Sequence, residues 1–581
     1  MPRPNCAGTI IVMKNVFTKI WSSKLWLIIT LLLLFAVNWA GSVWHSRLDF
    51  TDEKRFTLST ATIQLLKNIK EPVQVDVFLK GNYPSGFKKL SSSAEDLLQE
   101  FKEVAGNNFQ YNFIAPEEKV DGTEVSFADT LSAMGLLPIN LTSQVAEGQQ
   151  QQFVYPVALV HYSGKTLPVT LYQGKTPLIN FQELNSAEAM LEYNVANTIS
   201  KIMQVNKPAI GYANGNGEPT DISVYDLVEN NLNIDYSLAL FNINKQPFIP
   251  LEFKVLVIVK PTQPFTEDAK LKLDQYVMNG GKLLLFTDRL NAEMDSLQIK
   301  NEVIAYDRGL QLNDQLFKYG ARINADLVMD LQCDYLPFDV NGNGQFELLP
   351  WNYFPVLESK SNHPVNKNLG FVSGRFVNSI DTVEAEGIRK TILLSSSGNS
   401  RRMATPALIS SKENVAAPEH IKFRTADIPV AVLLEGKFTS LYANRTSQAM
   451  QDSLAAYGKN FLPRCISDNK MIIVADGDIA LNSLVKGNQP IPMGMNPYTF
   501  GTQREFPFAN TAFVQNSLDY LVNTNNLSEA KGKDYVVRLL DSKKVDAQKI
   551  TWQVINIAVP VAIVILFAML FQWFRKRKYS K

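Results

Sequence analysis

Three observations predict an α/β protein held in a membrane at both ends. Two uncharged apolar segments flank the chain, Leu25 to Trp44 and Thr551 to Phe574. After the first of them, strands and amphipathic helices alternate in β-α-β order. From Lys207 onward the strands become continuous apolar runs, the pattern of strands buried on both faces of a parallel sheet.

The first segment, LWLIITLLLLFAVNWAGSVW, spans about 30 Å as a helix at about 1.5 Å per residue, the thickness of a bilayer core. The second is as long and puts Trp552 and Trp573 at the two interfaces. Pro560 kinks it in a way that membrane helices tolerate. A cleaved signal peptide is the alternative for the first run. Its length and the residues Asn38 and Trp39, which spoil a small-residue cleavage site before Gly41, favour an uncleaved anchor. Arg3, Lys14, Lys19 and Lys24 precede the first span, and Arg575 to Lys578 with Lys581 follow the second. Basic flanks stay inside, so both termini are expected in the cytoplasm and residues 45–550 outside it. Met13, opening MKNVFTKIW, also reads as a start residue.

Ser59 is placed to cap a helix running to about Asn68, since its hydroxyl accepts an otherwise unpaired backbone N–H. VQVDVFLK (Val73 to Lys80) alternates as a strand, Ser92 to Ala105 carries Leu97, Leu98, Phe101 and Val104 on one helical face, and FQYNFIAP (Phe109 to Pro116) is a second strand. FVYPVALVHY and LPVTLYQ form a hairpin around Ser163, Gly164 and Lys165. The helix Asn185 to Gln204, with Ala187, Leu191, Val195 and Ile199 in one stripe, links this part to the next. The outline is thioredoxin-like, without a CxxC.

PAIGYA, IDYSLALF, KVLVIVK (Lys254 to Lys260) and KLLLFTD (Lys282 to Asp288) are strands, separated by helices at DISVYDLVENN and Thr266 to Gly281. MIIVADGDIALN (Met471 to Asn482) returns to the same sheet, and a mixed region with strands such as PVAVLLEG (Pro429 to Gly436) lies between. This predicts a doubly wound parallel sheet, flavodoxin-like or amidotransferase-like. The expected division is a cytoplasmic start at 1–24, a span at 25–44, a first α/β domain at 45–205 and a second at 206–530. A juxtamembrane stretch at 531–550, a span at 551–574 and a basic tail at 575–581 complete it.

With 57 Lys and Arg against 56 Asp and Glu, the chain lacks the basic excess that a nucleic-acid partner requires. Its cysteines, Cys6, Cys333 and Cys465, have neither metal-ligand nor redox spacing. Neither of the two exported ones has the small flanking residues of a nucleophile elbow, and SSSGNS (Ser395 to Ser400) is not a GxSxG serine. No catalytic residue is expected.

The most suggestive stretch is GYANGNGEPTD, Gly211 to Asp221. A dinucleotide fingerprint needs a third glycine where Thr220 stands, and a phosphate loop needs a lysine that is absent. The loop also lies outside the cytoplasm, away from ATP, so no nucleotide, metal or other cofactor is expected. Open α/β sheets do bind ligands beyond the carboxyl ends of their strands. A ligand-binding rim there would use Asn214, Gly215, Gly217, Glu218, Asp221, Lys260 and Asp288. Otherwise the glycines only allow the positive φ of a tight turn. Asp476 and Asp478 in DGD are a further rim pair or an Asx turn. DVNGNGQFELLP (Asp339 to Pro350) opens like a calcium loop but has Pro350 where the bidentate glutamate belongs, so it reads as a polar turn. The tail RKRK suits anionic membrane lipid and topology anchoring.

RLDFTDEKRFTLS, YANGNGE, LDQYVMNGGKLLLFTD, PWNYFPVL, IVADGDIALN and NTAFVQNSLDYL, in this order and between two spans, resemble the gliding-motility-associated ABC transporter auxiliary protein GldG. Asn216 stands where relatives are expected to carry a histidine. The resemblance implies a bacterial inner-membrane protein with a periplasmic body. It further implies a non-catalytic accessory subunit that works with a separate permease and a separate ATPase, associated with gliding motility. A scaffold, lid or capture domain on the permease fits two spans without an ATP-binding motif. A solute-binding module and a cell-envelope hydrolase stay open as alternatives.

Overall fold

The computed structural model describes residues 31–39 and 57–579, apart from 173–180, 411–419, 523–526, 533–541 and gaps at 121, 135, 137, 146–147, 205, 295–296, 298–301, 340–342, 368, 459 and 503. The chain divides into two units, Met1–Thr57 and Leu58–Lys581. Of the first, residues 31–39 are a helix with exposed side chains; the rest of the span expected at 25–44 lies outside the described residues.

The second unit begins with α1 (Thr60–Lys67), where Ser59 Oγ accepts the Thr62 N–H at 3.2 Å. Strand β1 (Val73–Val77), helix α2 (Ser85–Ala105) and strand β2 (Phe109–Phe113) follow. Helix α3 (Phe127–Ala133), closed by a Ser126–Asp129 capping box, precedes a separate hairpin of β3 (Ile139–Val145) and β4 (Gly148–Val154). Strands β5 (Val157–Tyr162) and β6 (Lys165–Thr170) and helix α4 (Phe181–Met203) complete this part. The sheet runs β2-β1-β5-β6, with β1 and β2 parallel and the other pairs antiparallel. Its β5–β6 turn uses Ser163 and Gly164 at φ +50° and +77°, a two-residue turn whose twist matches the strands. Val73, Val75 and Val77 face α2 and α4, in one core with Leu98, Phe101, Leu191 and Val195.

Helix α2 starts seven residues earlier than its sequence pattern suggests. Phe87, Leu90 and Ala94 extend the buried stripe backwards, and Gly86 permits close packing. A Cβ there would lie 2.3 Å from Leu184 Cδ1 on α4.

The larger sheet contains β7 (Ala209–Asn214), β8 (Ser237–Asn242), β9 (Val255–Val259) and, after α5 (Glu267–Met278), β10 (Lys282–Phe286). Helix α6 (Asn313–Tyr319) and three strands, β11 (Asp326–Asp330), β12 (Cys333–Phe338) and β13 (Glu347–Leu357), lead into a mixed β region. Strand β14 (Ile388–Ser395) returns to the sheet, β15 (Ser400–Ala404) pairs with β11, and β16 (Pro429–Gly436) and β17 (Asn469–Val474) finish it. Helix α7 (Asn510–Val522) and the long α8 (Ser542–Tyr579) follow.

Seven strands stand in the order β14-β16-β17-β10-β9-β7-β8. The last five are parallel and, counted in chain order, read 2-1-3-4-5 from the β8 edge, the order of flavodoxin-like sheets. PVAVLLEG, read from sequence as part of the intervening mixed region, is β16 and runs antiparallel to β17. All five residues of β9 are buried. Val255, Val257 and Val259 face a core that includes Leu227, Leu232, Phe513 and Leu518, whereas Leu256 and Ile258 face Leu273, Val277 and Leu316. Helices therefore cover both faces. The mixed β region has its own core around Trp351, ringed by Phe338, Tyr353, Phe354 and Phe376.

Within α8, Gln548–Arg577 is long and apolar enough to cross a membrane, with its side chains exposed and Pro560 inside it.

Candidate functional site at the strand ends

In a 2-1-3-4-5 sheet the chain reverses direction between the first and third strands, here β7 and β9, and the crevice beyond their carboxyl ends is the favoured ligand position. The residues proposed from sequence all lie at this end of the sheet. They form two separate arrangements.

One is the loop after β7. Gly215 has φ +117° and a Cβ on it would meet the Asn242 side chain at 2.8 Å; Gly217 has φ +79° and would meet Thr262 Oγ1 at 2.1 Å. Both glycines are thus required by backbone conformation and close packing. Asn216, 1% exposed, holds the neighbouring loop: its carbonyl accepts the N–H groups of Thr262 and Gln263, and its Nδ2 donates to the Pro264 carbonyl at 3.0 Å. Glu218 folds back on the same loop, where its Oε2 accepts the Asn216 N–H at 2.7 Å. Burial raises its pKa, and the backbone N–H groups around it oppose that shift. Glu218 Oε1 and Asn214 Oδ1 are buried without a hydrogen-bond partner. Asp221 points elsewhere, capping the next helical turn by accepting the Ser223 N–H at 3.1 Å.

The other arrangement centres on Lys260, just beyond β9. Its backbone is left-handed at φ +43°, and its stem lies against Gly477, where a Cβ would be 2.6 Å from Lys260 Cγ. The ammonium lies 2.7 Å from Asp478 Oδ1, 3.0 Å from Glu293 Oε2 and 3.5 Å from Asp288 Oδ2. Arg308 pairs with Glu293 from the other side. Burial works against the Lys260 charge, but Asp478, Asp288 and Glu293 hold its pKa above that of an ordinary lysine. Asp476, fully buried, accepts the Arg375 and Asp478 N–H groups at 2.8 and 2.7 Å. Burial first, then neighbouring carboxylates, raise the pKa of Asp476 well above the usual range and that of Asp288 to about 6.

The carboxylates of Asp288, Asp476 and Asp478 lie within 4.8 Å of one another, a spacing suited to sharing a cation. Two of the three, Asp288 and Asp478, face the chain's own Lys260. Sequence reading placed Lys260 and Asp288 in one rim with the glycine loop and the DGD pair in a second; it did not single out Glu293, which follows β10 by seven residues, or Arg308.

Other chemical candidates have structural partners. Burial, reinforced by Asp330 and Asp334, pushes the Cys333 thiol up to about 12, and burial pushes Cys465 up to about 11. The thiolate is the nucleophilic form, so neither is activated. Both cysteines are free. Ser397 Oγ donates to Asp330 at 2.6 Å and Ser396 shares a 2.7 Å bond with Ser400, all buried. Asp339 accepts the Asn343 and Gly344 N–H groups at 3.1 and 3.0 Å, as a turn cap does; residues 340–342 lie outside the described residues.

Residues 207–517, which include both strand-end arrangements, match the family model described as an ABC-type uncharacterized transport system. That is more than half of the chain. The chain belongs to this family. Its members are auxiliary components, and membership suggests an accessory role in an ABC-type transport system. Residues 52–161 match a second model, of a domain of unknown function. A Borreliella burgdorferi protein described as uncharacterized is 21% identical over 436 residues, covering 73% of this chain and 79% of the relative. Among solved structures, the mmIFT52 N-terminal domain aligns with 54% of this chain and 97% of its own at 12% identity and a TM-score of 0.30, too low to bear on the fold.

Proposed function

We propose that this family member is a non-catalytic accessory subunit of a bacterial ABC-type complex associated with gliding motility. In this reading it is anchored by spans at 25–44 and 551–574, with a thioredoxin-like domain at 45–205 and an amidotransferase-like domain at 206–530 in the periplasm. The body serves as a scaffold, lid or capture domain on a separate permease, which a separate cytoplasmic ATPase drives.

The observation that carries this reading is the self-contained rim. At the position where such sheets hold ligands, the lysine is neutralised by the chain's own carboxylates. A body whose crevice is occupied by its own ion pairs suits contact with partners better than turnover. The sequence stretches that resemble the gliding-associated GldG proteins support the finer assignment, and the apolar helix α8 supports membrane attachment. Affinity purification of the full chain after gentle solubilisation tests it. Co-purification of a multi-span permease and an ATPase is the expected outcome, and a solitary chain under those conditions overturns it.

A second reading, a solute-binding module, draws on the partnerless Glu218 Oε1 and Asn214 Oδ1 at the β7–β9 crevice. Two acceptor oxygens there select a hydrogen-bond donor such as an amine. Glu218→Gln would abolish amine-dependent thermal stabilisation, and the absence of any such stabilisation in the wild-type chain removes this reading.

A further inference from the structure

The seven-stranded sheet has two edges, β14 and β8, and they are built differently. An edge strand invites pairing with another chain, and natural sheets blunt their edges with charges, prolines or bulges. The β14 edge carries Arg389 and Lys390, and its register against β16 breaks between Ile392 and Leu394 and again before Ser395. The β8 edge has neither protection. SLALFN (Ser237–Asn242) is uncharged, holds no proline and runs in unbroken register along all six residues of β7. Ser237 is exposed, and Leu240 is 62% exposed.

The backbone of this edge is open. At the two ends of β8 the Ser237 N–H donates to the Pro208 carbonyl and the Ile243 N–H to the Asn214 carbonyl. Peptide groups alternate in direction along a strand, so the odd-numbered residues of β8 serve β7. Those of Leu238, Leu240 and Asn242 point outwards, and the Asn242 carbonyl is taken by the N–H groups of Lys245 and Gln246 in the following turn. Among the described residues nothing bonds the outward groups of Leu238 and Leu240. Leu238 packs on the core that holds Leu227 and Leu232, whereas Phe241 belongs to the opposite face. Alternation therefore puts Leu240 on the Leu238 face. The helical stretch 225–235 covers that face and leaves Tyr225 and Ile234 exposed.

We propose that the β8 edge is a homodimer interface, on which β8 of a second copy adds antiparallel about a two-fold axis at Ala239. Opposed residues of an antiparallel pair share a face, so a two-fold axis normal to the sheet pairs one residue with itself. At Ala239 it sets Leu240 of each copy against Leu238 of the other and uses the outward backbone groups of both leucines. An axis at Leu240 would need the Asn242 carbonyl, which is already bonded. The edge is thus complementary to itself, uncharged and with leucine meeting leucine, which favours a second copy over a foreign strand. A strand edge alone falls short of the about 1,000 Å² that a specific interface buries. The same axis brings the two 225–235 stretches together on one face, adding Tyr225 and Ile234 to the contact. Helix α7, whose Phe513 and Leu518 share that core, stays on the same side in both copies. Both chains then leave α7 on one side of the joined sheet, as pairing within one membrane requires.

Cysteine cross-linking of the full chain in isolated membranes tests the interface, with wild type, which keeps its own cysteines, as the blank. Opposed residues at a non-hydrogen-bonded position have Cα atoms about 4.5 Å apart, within disulfide reach. Ala239→Cys should give an oxidant-dependent dimer of the chain. Its yield should exceed that of Ser237→Cys about tenfold, because two Ser237 positions lie about 13 Å apart along this ladder. Leu240→Lys charges the edge and should abolish the Ala239→Cys dimer while the chain stays folded by circular dichroism. Light scattering of the solubilised chain should find two copies for wild type and one for Leu240→Lys. Equal cross-linking at 237 and 239, a cross-link only to a different protein, or a wild-type monomer that does not cross-link overturns the proposal. If Ala239→Cys does not fold, the wild-type mass and its change in Leu240→Lys decide. These readouts concern copies of this chain, so they fail or succeed separately from the co-purification that tests the transporter role.

Discussion

Lys260 Nζ and Asp478 Oδ1 are 2.7 Å apart although 218 residues separate them in sequence. They meet because β9 and β17 end on the same edge of one parallel sheet, with β10 and its Asp288 between them. The lysine stem fills the space over Gly477, and the side chains of both residues of the pair are largely removed from water. Breaking such a pair leaves a buried charge uncompensated, at a cost of about 3–5 kcal/mol. Lys260→Met is therefore expected to lower the urea midpoint strongly. Asp478→Asn should cost clearly less, because Glu293 and Asp288 still face the ammonium. The reverse order would remove Lys260 as the centre of the cluster.

The raised carboxyls beside it give a pH signature. Asp288 rises from 3.8 to about 6, because of burial first and then the Asp478 charge against the opposing pull of Lys260. A raised pKa means that the folded chain holds a proton the unfolded chain has released. The stabilisation this gives is full below about pH 4 and is lost as pH rises through 6. Asp288→Asn keeps the shape without the titration. Urea unfolding of wild type and variant between pH 4 and 7 should show the wild type losing stability relative to Asp288→Asn across that window, and parallel curves would exclude the buried titration.

Protected thiols are expected at Cys333 and Cys465. Cys465 Sγ donates to the Val277 carbonyl at 3.3 Å in a buried site, and Cys333 is deactivated by burial and two aspartates. Alkylation by iodoacetamide at pH 7.5, followed by mass spectrometry, should label neither residue in the native chain within an hour and both in urea. Rapid native labelling of either one would revive a cysteine hydrolase.

Much of this fold is legible in the sequence because its strands are local patterns. The all-apolar β9 and β10 announce a sheet buried on both faces, and the alternation in β1 and the stripe of α4 announce a half-covered one. The order of the strands is not local, and so the antiparallel β16, as apolar as its parallel neighbours, could not be assigned to the main sheet from its own residues. The site was harder still. Lys260, Asp288 and Asp478 each follow a strand and could be named as strand-end groups, but Glu293 and Arg308 lie in a region whose pairing is set by tertiary contacts. Three glutamates of α4 are buried, which the apolar stripe of the helix does not announce. Each has a partner supplied from another element: Tyr172 on Glu183, Lys89 on Glu188 and the Ser59 N–H on Glu192.

Lys531 should leave the opposite pH mark. Its pKa is lowered by burial from 10.5 to about 8, with Asp519 pulling it up and Lys201 pushing it further down. The unfolded chain then binds the proton more tightly than the folded one between those values. The stabilisation this confers is present above about pH 10.5 and is lost as pH falls through 8. Tyr193, whose ring centroid lies 4.0 Å from the ammonium, stays in place in Lys531→Met. Wild type should gain stability over Lys531→Met as pH is raised from 7.5 to 9.5, measured by thermal unfolding with a reversible baseline, and a constant difference would place Lys531 in water.

Gly217 separates a structural loop from a ligand cradle. At φ +79° an alanine carries a left-handed backbone cost of about 1–2 kcal/mol, and its Cβ meets Thr262 Oγ1. Gly217→Ala should therefore destabilise by about 2–5 kcal/mol in total, since overpacking adds about 1–3 kcal/mol to the backbone cost. In a Thr262→Ala background the contact part disappears and only the backbone part remains, so the two substitutions should be strongly non-additive. Thr262 Oγ1 also donates to the Gly217 carbonyl at 3.1 Å, so Thr262→Ala alone has a cost of its own, and the full double-mutant cycle is needed to isolate the contact. A cradle kept open for a ligand would have room for a methyl group. Wild-type stability in Gly217→Ala would mean that the glycine serves a bound molecule after all.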